Sequence, residues 1–134
     1  MADDALLNKA ASIERCLKRI QEEYAGAPLE TSQTRQDALV LNLLRACETA
    51  IDMAMHTCRK KRLGAPQSSR QAFELLQQAG IIPESTETQM KRMVGFRNIA
   101  VHEYREMELD IVKTIVEKHL SEFTQFTKAL LNAD

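Results

Sequence analysis

At 134 residues the chain has the length of one domain, enough to bury roughly two-thirds of the surface that its unfolded form exposes. With four Gly, three Pro, two Tyr and no Trp, its composition favours helices over strands, and we predict an all-α fold. A formal net charge of −1 excludes the general basic character of a histone-like nucleic-acid binder, so a local cluster of cations must hold any anionic partner.

Two amphipathic helices are predicted for the first half of the chain. The first spans about Asp4–Ala25, where apolar residues recur at alternating steps of four and three. The second follows the possible N-caps Thr31, Ser32 and Thr34 and is the longest helix. Its apolar stripe over residues 40–58 is widened by further apolar residues, so we predict that this helix lies at the centre of the fold.

A cluster of four cations, Arg59-Lys60-Lys61-Arg62, ends the long helix and precedes a Gly and a Pro. Cations complement the negative end of the helix dipole, and Gly followed by Pro stops a helix. Helix capping therefore explains this cluster more simply than ligand binding, although the sequence does not decide between them.

Three more helices are predicted for the second half. A short one ends at Gly80, and the next begins at Pro83 and continues to Tyr104 or Glu106. The last begins near residue 109 and carries one continuous apolar stripe: Val112, Val116, His119, Phe123, Phe126 and Leu130. We predict that residues 1–134 form a single domain, an up-and-down four-helix bundle with one additional short helix.

The cysteines indicate a reducing compartment. Cys16, Cys47 and Cys58 are odd in number, far apart and within helical patterns, which is typical of buried, reduced thiols. The amino terminus is acidic where a signal peptide is basic, and no apolar run is long enough to span a bilayer. We therefore expect a cytoplasmic protein that has no membrane segment.

One run of eight residues concentrates polar chemistry: Arg97-Asn98-Ile99-Ala100-Val101-His102-Glu103-Tyr104. On a continuous helix Arg97 and Tyr104, seven residues apart, are nearly eclipsed. Asn98, His102 and Arg105 lie together about a quarter-turn round, because residues four and seven apart share a face. The arc holds two permanent cations, one imidazole that titrates near neutrality and one phenol, which suits an anionic ligand whose bond is to be broken.

The arc has the chemistry for cleaving a phosphodiester. A neutral-range imidazole at His102 can take or give the proton, and the fork of Arg97 can bind non-bridging oxygens and stabilise transition-state charge. Other cations on this helix are candidates for phosphate contacts: Lys91, Arg92 and Arg105. From the pattern alone, an ordinary solvated helix face is the simpler interpretation. His102 and Glu106 are four apart, but no further ligand has matching spacing, so we predict no metal site.

An apolar set on the same helix, formed by Met90, Val94 and Val101, lies within or beside the polar arc. Exposed apolar surface of this kind has no use in a monomer. In a homodimer with two-fold symmetry the set would pack against its copy and bring two arcs to face each other across a shared cleft. The sequence therefore favours a homodimer.

The eight-residue run closely resembles the R-x4-6-H motif of the HEPN superfamily, in its extended R-N-x-x-x-H-x-Y form. Within that superfamily it is most similar to the HepT toxins of the MNT/HEPN toxin–antitoxin systems. The resemblance continues over nearly the whole chain, through the turn Leu63-Gly64-Ala65-Pro66 and the link Gly80-Ile81-Ile82-Pro83. It implies a HEPN-type bundle that dimerises into a composite ribonuclease site, which needs no metal or cofactor and leaves a cyclic phosphate on the RNA.

The resemblance also implies roles for individual residues. Arg97 would hold the scissile phosphate, His102 would be the general acid/base, and Asn98 would support the site. An MNT-type nucleotidyltransferase antitoxin would neutralise the toxin by transferring AMP to Tyr104. The alternative is a non-catalytic module that binds a nucleotide or docks a nucleotidyltransferase through the same residues.

Overall fold

Six α-helices and two 3₁₀ turns make up residues 3–133, the part of the chain that the computed structural model describes, and no strand occurs among them. The α-helices, in chain order, are α1 (Asp4–Ala25), α2 (Gln33–Lys60), α3 (Ser69–Gln78), α4 (Glu84–His102), α5 (Leu109–Lys118) and α6 (Leu120–Asn132). The 3₁₀ turns are Leu29–Thr31 and Tyr104–Glu106. The prediction of an all-α fold is confirmed, with one α-helix more than predicted.

The long helix α2 lies at the centre of the bundle, as its wide apolar stripe predicts. It packs against α1, α3, α4 and α6 and buries residues on every turn from Leu39 to Cys58. Phe73 of α3 and Phe126 of α6 meet edge to face, with ring centroids 5.4 Å apart. Such a pair adds about 0.5–1.5 kcal/mol beyond the area that it buries. α1, α2, α4 and the α5–α6 pair form the bundle, and α3 is the additional short helix.

Side-chain caps fix where three of these helices begin, and Asp3 caps the first of them. Of the three candidates for α2, Ser32 is the cap, because its Oγ accepts a hydrogen bond from the Arg35 amide at 3.2 Å. Ser68 caps α3 in the same way and accepts from the Gln71 amide at 3.1 Å. Each serine satisfies an amide that the first turn of a helix leaves without a carbonyl partner.

We expect Ser32→Ala to lower the free energy of unfolding by about 1 kcal/mol, because the Arg35 amide loses its acceptor. Urea denaturation followed by circular dichroism measures the change. Thr34→Ala is the matched control, since Thr34 is exposed on the first turn of α2 and Ala is the better helix former. Equal losses in the two variants would contradict the assignment of Ser32 as the cap.

The basic cluster Arg59-Lys60-Lys61-Arg62 ends α2, as its composition predicts. Lys60 is the last helical residue, Lys61 is the C-cap, and Arg62 takes a left-handed conformation with φ of 54°. Lys61 Nζ also donates a hydrogen bond of 2.7 Å to the carbonyl of Ala133, just after α6. Lys61 therefore brings positive charge to the carboxyl ends of two helices, where the dipole favours it.

The helix that carries the motif is shorter than predicted. α4 ends at His102, and a 3₁₀ turn follows Glu103, so the prediction that this helix continues to Tyr104 or Glu106 is wrong. Residues 101–106 are all exposed. No buried stripe stabilises a further helical turn there.

The predicted last helix is divided at His119 into α5 and α6. The His119 amide still donates to the Ile115 carbonyl at 2.9 Å, but its backbone leaves the helical region with φ of −125° and ψ of −1°. α5 buries Val112 and Ile115, and the buried face resumes at Leu120. Next to the break Ile115 and Leu120 are buried in place of the predicted Val116 and His119, whereas the rest of the predicted stripe is buried as expected.

The three cysteines are buried, free thiols, as predicted. Burial raises the pKa of Cys47 to about 12, so this thiol is protonated at neutral pH and poorly reactive. Within residues 3–133, no helix is long and apolar enough to cross a membrane.

Candidate active site

Arg97 lies at the junction of three helices and is held there by two hydrogen bonds. Its Nη1 donates to Glu48 Oε1 on α2 at 3.3 Å, and its Nη2 donates to Ser69 Oγ at the start of α3 at 3.1 Å. Its Nε is buried and has no hydrogen-bond partner among the described residues. The side chain is 23% exposed. The guanidinium is therefore fixed in direction, yet an incoming anion can still reach it.

His102 and Asn98 lie on a different side of α4 from Arg97. His102 is the last residue of the helix and is exposed, whereas Asn98, one turn earlier, is half-buried. Residues four apart share a helix face, so these two side chains are neighbours. Arg97 and His102, five apart, diverge by about 140° around the axis and are about 7.5 Å apart along it. One chain therefore presents the guanidinium and the imidazole in different directions.

An open groove of about 890 Å³ runs between α4 and α5. On α4 it is lined by residues at steps of three and four, among them Lys91, Gly95 and Ile99. His102 follows Gly95 by seven residues and so continues this face beyond the end of the groove. Apolar side chains contribute to its wall, with Phe96 from α4 and Ile111 from α5.

The further cations proposed for phosphate contacts are in different situations. Lys91 forms ion pairs with Glu74 at 2.7 Å and with Glu87 at 3.0 Å, and these carboxylates raise its pKa. Its ammonium pairs with two carboxylates, whereas the guanidinium of Arg97 pairs with one, so Lys91 offers less to an incoming phosphate. Arg92 and Arg105 are exposed, and they stay the better candidates for such contacts.

Tyr104 lies on the 3₁₀ turn after α4 and is 40% exposed. Its Oη donates a hydrogen bond to Asp37 Oδ1 near the start of α2. Partial burial and the Asp37 carboxylate raise the pKa of Tyr104 to about 12. The predicted helical eclipse of Tyr104 and Arg97 is wrong, because α4 ends between them and the phenol contacts Asp37.

The apolar set predicted for the dimer interface is also largely wrong. Met90 and Val94 are buried in the chain's own core, and only Val101 is exposed. α4 is buried on this side because it packs against α2, α3 and α6. Besides Val101, the large aliphatic side chains that remain exposed near the motif are Ile99 and Ile111.

The other two histidines have hydrogen-bond partners, as expected for structural imidazoles. His56 Nε2 lies 2.7 Å from Asp3 Oδ2, and His119 Nδ1 lies 2.6 Å from Glu122 Oε2. His102 and Glu106 no longer share one helix, because α4 ends between them. In residues 3–133, no three His, Cys, Asp or Glu side chains form a group that could hold a metal ion.

Sequence patterns did not identify the residues that hold Arg97 and Tyr104. Glu48 and Ser69 fix the guanidinium, and Asp37 accepts from the phenol. None of the three lies in the motif, and each is distant from its partner in sequence. Asp37 and Glu48 resemble ordinary polar positions on an amphipathic helix, so spacing gives no signal for them.

The fold and the site together define a helical-bundle protein with an R-x4-H motif at the end of its fourth helix. The family described as Ribonuclease HepT-like matches residues 11–130. The mRNA nuclease HepT of Shewanella oneidensis is 49% identical over 125 residues, which cover 92% of this chain and 94% of that protein. The chain belongs to the Ribonuclease HepT-like family, which confirms the resemblance inferred from the motif.

Solved structures of toxin–antitoxin complexes are also similar to this chain. A tri-AMPylated Shewanella oneidensis HEPN toxin in complex with MNT antitoxin matches with a TM-score of 0.92 and 47% identity, over 98% of this chain and 99% of that one. A toxin–antitoxin structure with AMP-PNP matches with a TM-score of 0.91 and 46% identity, over 96% and 98%. These matches confirm the HEPN-type fold.

Proposed function

We propose that this chain is the toxin of a toxin–antitoxin system, a metal-independent endoribonuclease that acts as a homodimer in the cytoplasm. Residues 1–134 form its single HEPN domain. One observation carries the proposal: the complete R-N-x-x-x-H-x-Y motif ends α4 with Arg97 fixed at a helix junction and His102 exposed. Membership in the Ribonuclease HepT-like family supports the same activity.

The reaction follows from the properties of these side chains. The 2′-hydroxyl of the RNA attacks the neighbouring phosphorus, the bond from phosphorus to the 5′-oxygen breaks, and a 2′,3′-cyclic phosphate and a 5′-hydroxyl result. His102 transfers the proton that this exchange requires. Arg97 binds the non-bridging oxygens and stabilises the charge that grows on them. Asn98, on the same face as His102, supports the imidazole.

Exposed apolar residues around the motif support the homodimer. Ile99, Val101 and Ile111 are large apolar side chains in contact with solvent, and two of them lie on the last turn of α4, just before His102. Because Arg97 and His102 diverge on one helix, a two-fold copy is the simplest way to bring an imidazole opposite a guanidinium. Pairing would also double the local positive potential at the site, since the chain as a whole has a net charge of −1.

The partner is an MNT-type nucleotidyltransferase antitoxin that transfers AMP to Tyr104. The exposed phenol lies two residues after His102, so a phosphodiester placed there adds negative charge next to the site. That charge repels RNA and competes for the cations that would bind it. The structures of related toxins with MNT antitoxin, one of them AMPylated, support this partner.

The direct test is an RNA cleavage assay with the purified dimer in the presence of EDTA, with the product ends identified. Cleavage that leaves cyclic phosphates supports the proposal. The alternative is a module that binds a nucleotide or docks a nucleotidyltransferase without cutting RNA, and binding without cleavage would favour it. A reaction that EDTA stops would contradict the metal-independent mechanism.

We expect Arg97→Lys to reduce kcat/KM for RNA cleavage by about 10–100-fold, because Lys keeps the charge but cannot form two parallel hydrogen bonds to a phosphate. Steady-state cleavage of a short RNA measures the loss. Arg19→Lys is the matched control, because Arg19 is an exposed arginine of α1, outside the motif helix. Its replacement should change the activity little. Similar losses in both variants would contradict the specific role of Arg97.

A further inference from the structure

A hydrogen bond between helix α2 and the 3₁₀ turn joins the motif tyrosine to a carboxylate. Tyr104 Oη donates to Asp37 Oδ1, and the same oxygen accepts a second hydrogen bond of 2.8 Å from Gln33 Nε2. Gln33 and Asp37 are four residues apart on the first turns of α2, so they share one face. One carboxylate oxygen therefore accepts from both the Gln33 amide and the phenol.

The phenol is also accessible. Tyr104 is 40% exposed and borders an opening of about 300 Å³, to which Gln36 and Arg105 contribute polar groups and Val40 an apolar one. Among the residues that line the opening, Arg105 is the charged one. The Asp37 carboxylate, bonded to Tyr104, lies beside the opening. The active site of another protein can therefore reach the phenol oxygen without unfolding the turn.

Adenylylation of a phenol requires its proton to leave. The phenol oxygen attacks the α-phosphorus of ATP, the bond from that phosphorus to pyrophosphate breaks, and the O–H proton is released. With the pKa of Tyr104 raised to about 12, almost none of the phenol is ionised at neutral pH. The proton must therefore pass to an acceptor while the oxygen attacks.

Asp37 is ionised, as that acceptor must be, and it contacts the phenol. Its hydrogen bonds, first from Tyr104 and then from Gln33, lower its pKa, so it is a carboxylate throughout the neutral range. It already accepts a hydrogen bond from the phenol O–H group, whose proton has to leave. This hydrogen bond also fixes the phenol O–H and leaves the lone pairs of its oxygen free to attack.

We propose that Asp37 aims the oxygen of Tyr104 and takes its proton during adenylylation, so that this chain supplies the base for its own modification. The inference rests on the proposed function, in which a nucleotidyltransferase uses ATP to modify Tyr104. Asp37, a residue of α2 that is distant in sequence from the motif, would then set how fast the toxin is neutralised.

The test measures AMP incorporation by intact mass over time, with the wild-type toxin, its MNT-type nucleotidyltransferase, ATP and magnesium. Asp37→Asn keeps an oxygen that accepts the hydrogen bond but loses the basicity. We expect its kcat for modification to fall by about 10²-fold, the lower range for loss of a general base, with an unchanged KM for the toxin. Asp37→Glu keeps a carboxylate and should recover part of the rate.

The pH profile separates a proton acceptor from a merely structural residue. The wild-type rate should stay level from about pH 6 to pH 9, because Asp37 remains ionised there. The Asp37→Asn rate should rise with pH, since only solvent hydroxide is left to take the proton. Asp52→Asn, an exposed position on the same helix, is the matched control and should behave as the wild type does.

The outcomes are distinguishable. If the wild type gains AMP and Asp37→Asn gains it at the same rate, the inference is overturned and the proposed function stands. A change confined to KM, with a level pH profile in Asp37→Asn, would make Asp37 a docking residue and also overturn the inference. If the wild type gains no AMP from an active partner, the antitoxin part of the proposed function falls together with the inference.

Discussion

Purified His102→Ala is expected to cleave RNA about 10²–10⁴-fold more slowly than the wild type, the usual contribution of a general acid/base. His102 is exposed at the last position of α4. Truncating it removes no buried contact, so the fold and the dimer should survive. Cleavage of a labelled RNA, followed at matched protein concentrations, measures the loss. Relief of growth inhibition in cells that express the variant should accompany it.

A second histidine variant controls for general damage. His56→Gln removes an imidazole that pairs with Asp3 and lies outside the motif. It should therefore lower stability somewhat and leave cleavage near the wild-type rate. Retention of full cleavage by His102→Ala, in a preparation free of other nucleases, would refute the mechanism. Equal losses in both variants would show that the assay reports folding and not catalysis.

Most of the helical framework could be predicted from local patterns. The apolar residues of α1 recur at the helical period and are buried where the pattern places them. The exceptions at Glu103 and His119 arise from tertiary packing. Around Glu103 the chain is exposed and no buried face continues the helix, and at His119 the backbone leaves the helical region so that Leu120 is buried. Local periodicity describes one helix at a time and contains neither constraint.

The candidate site, like the helical framework, could be predicted only in part. The motif is recognisable because Arg97, Asn98, His102 and Tyr104 lie within eight residues. The groups that fix two of them come from elsewhere, with Glu48 separated from Arg97 by 49 positions and Asp37 from Tyr104 by 67. Contacts at such separations depend on how α2 packs beside α4 and the 3₁₀ turn. Only the folded chain reveals them.

We expect Tyr104→Phe to gain no AMP when it is incubated with the nucleotidyltransferase and ATP, because the variant has no oxygen to attack the α-phosphorus. Intact-mass measurement decides this directly. The ribonuclease of this variant should then remain active in the presence of the partner and ATP, whereas the wild type loses activity. The comparison therefore links the chemical modification to the loss of function.

Tyr24→Phe is a demanding control, because the other tyrosine of the chain has a similar environment. Tyr24 Oη donates to Glu117 Oε2 at 2.7 Å, and that carboxylate helps raise the pKa of Tyr24 to about 12. A phenol paired with a carboxylate is thus not sufficient to define the acceptor. Tyr104 differs in lying two residues after His102, so modification there reaches the cleavage site. A mass gain lost in Tyr24→Phe and kept in Tyr104→Phe would refute the assignment.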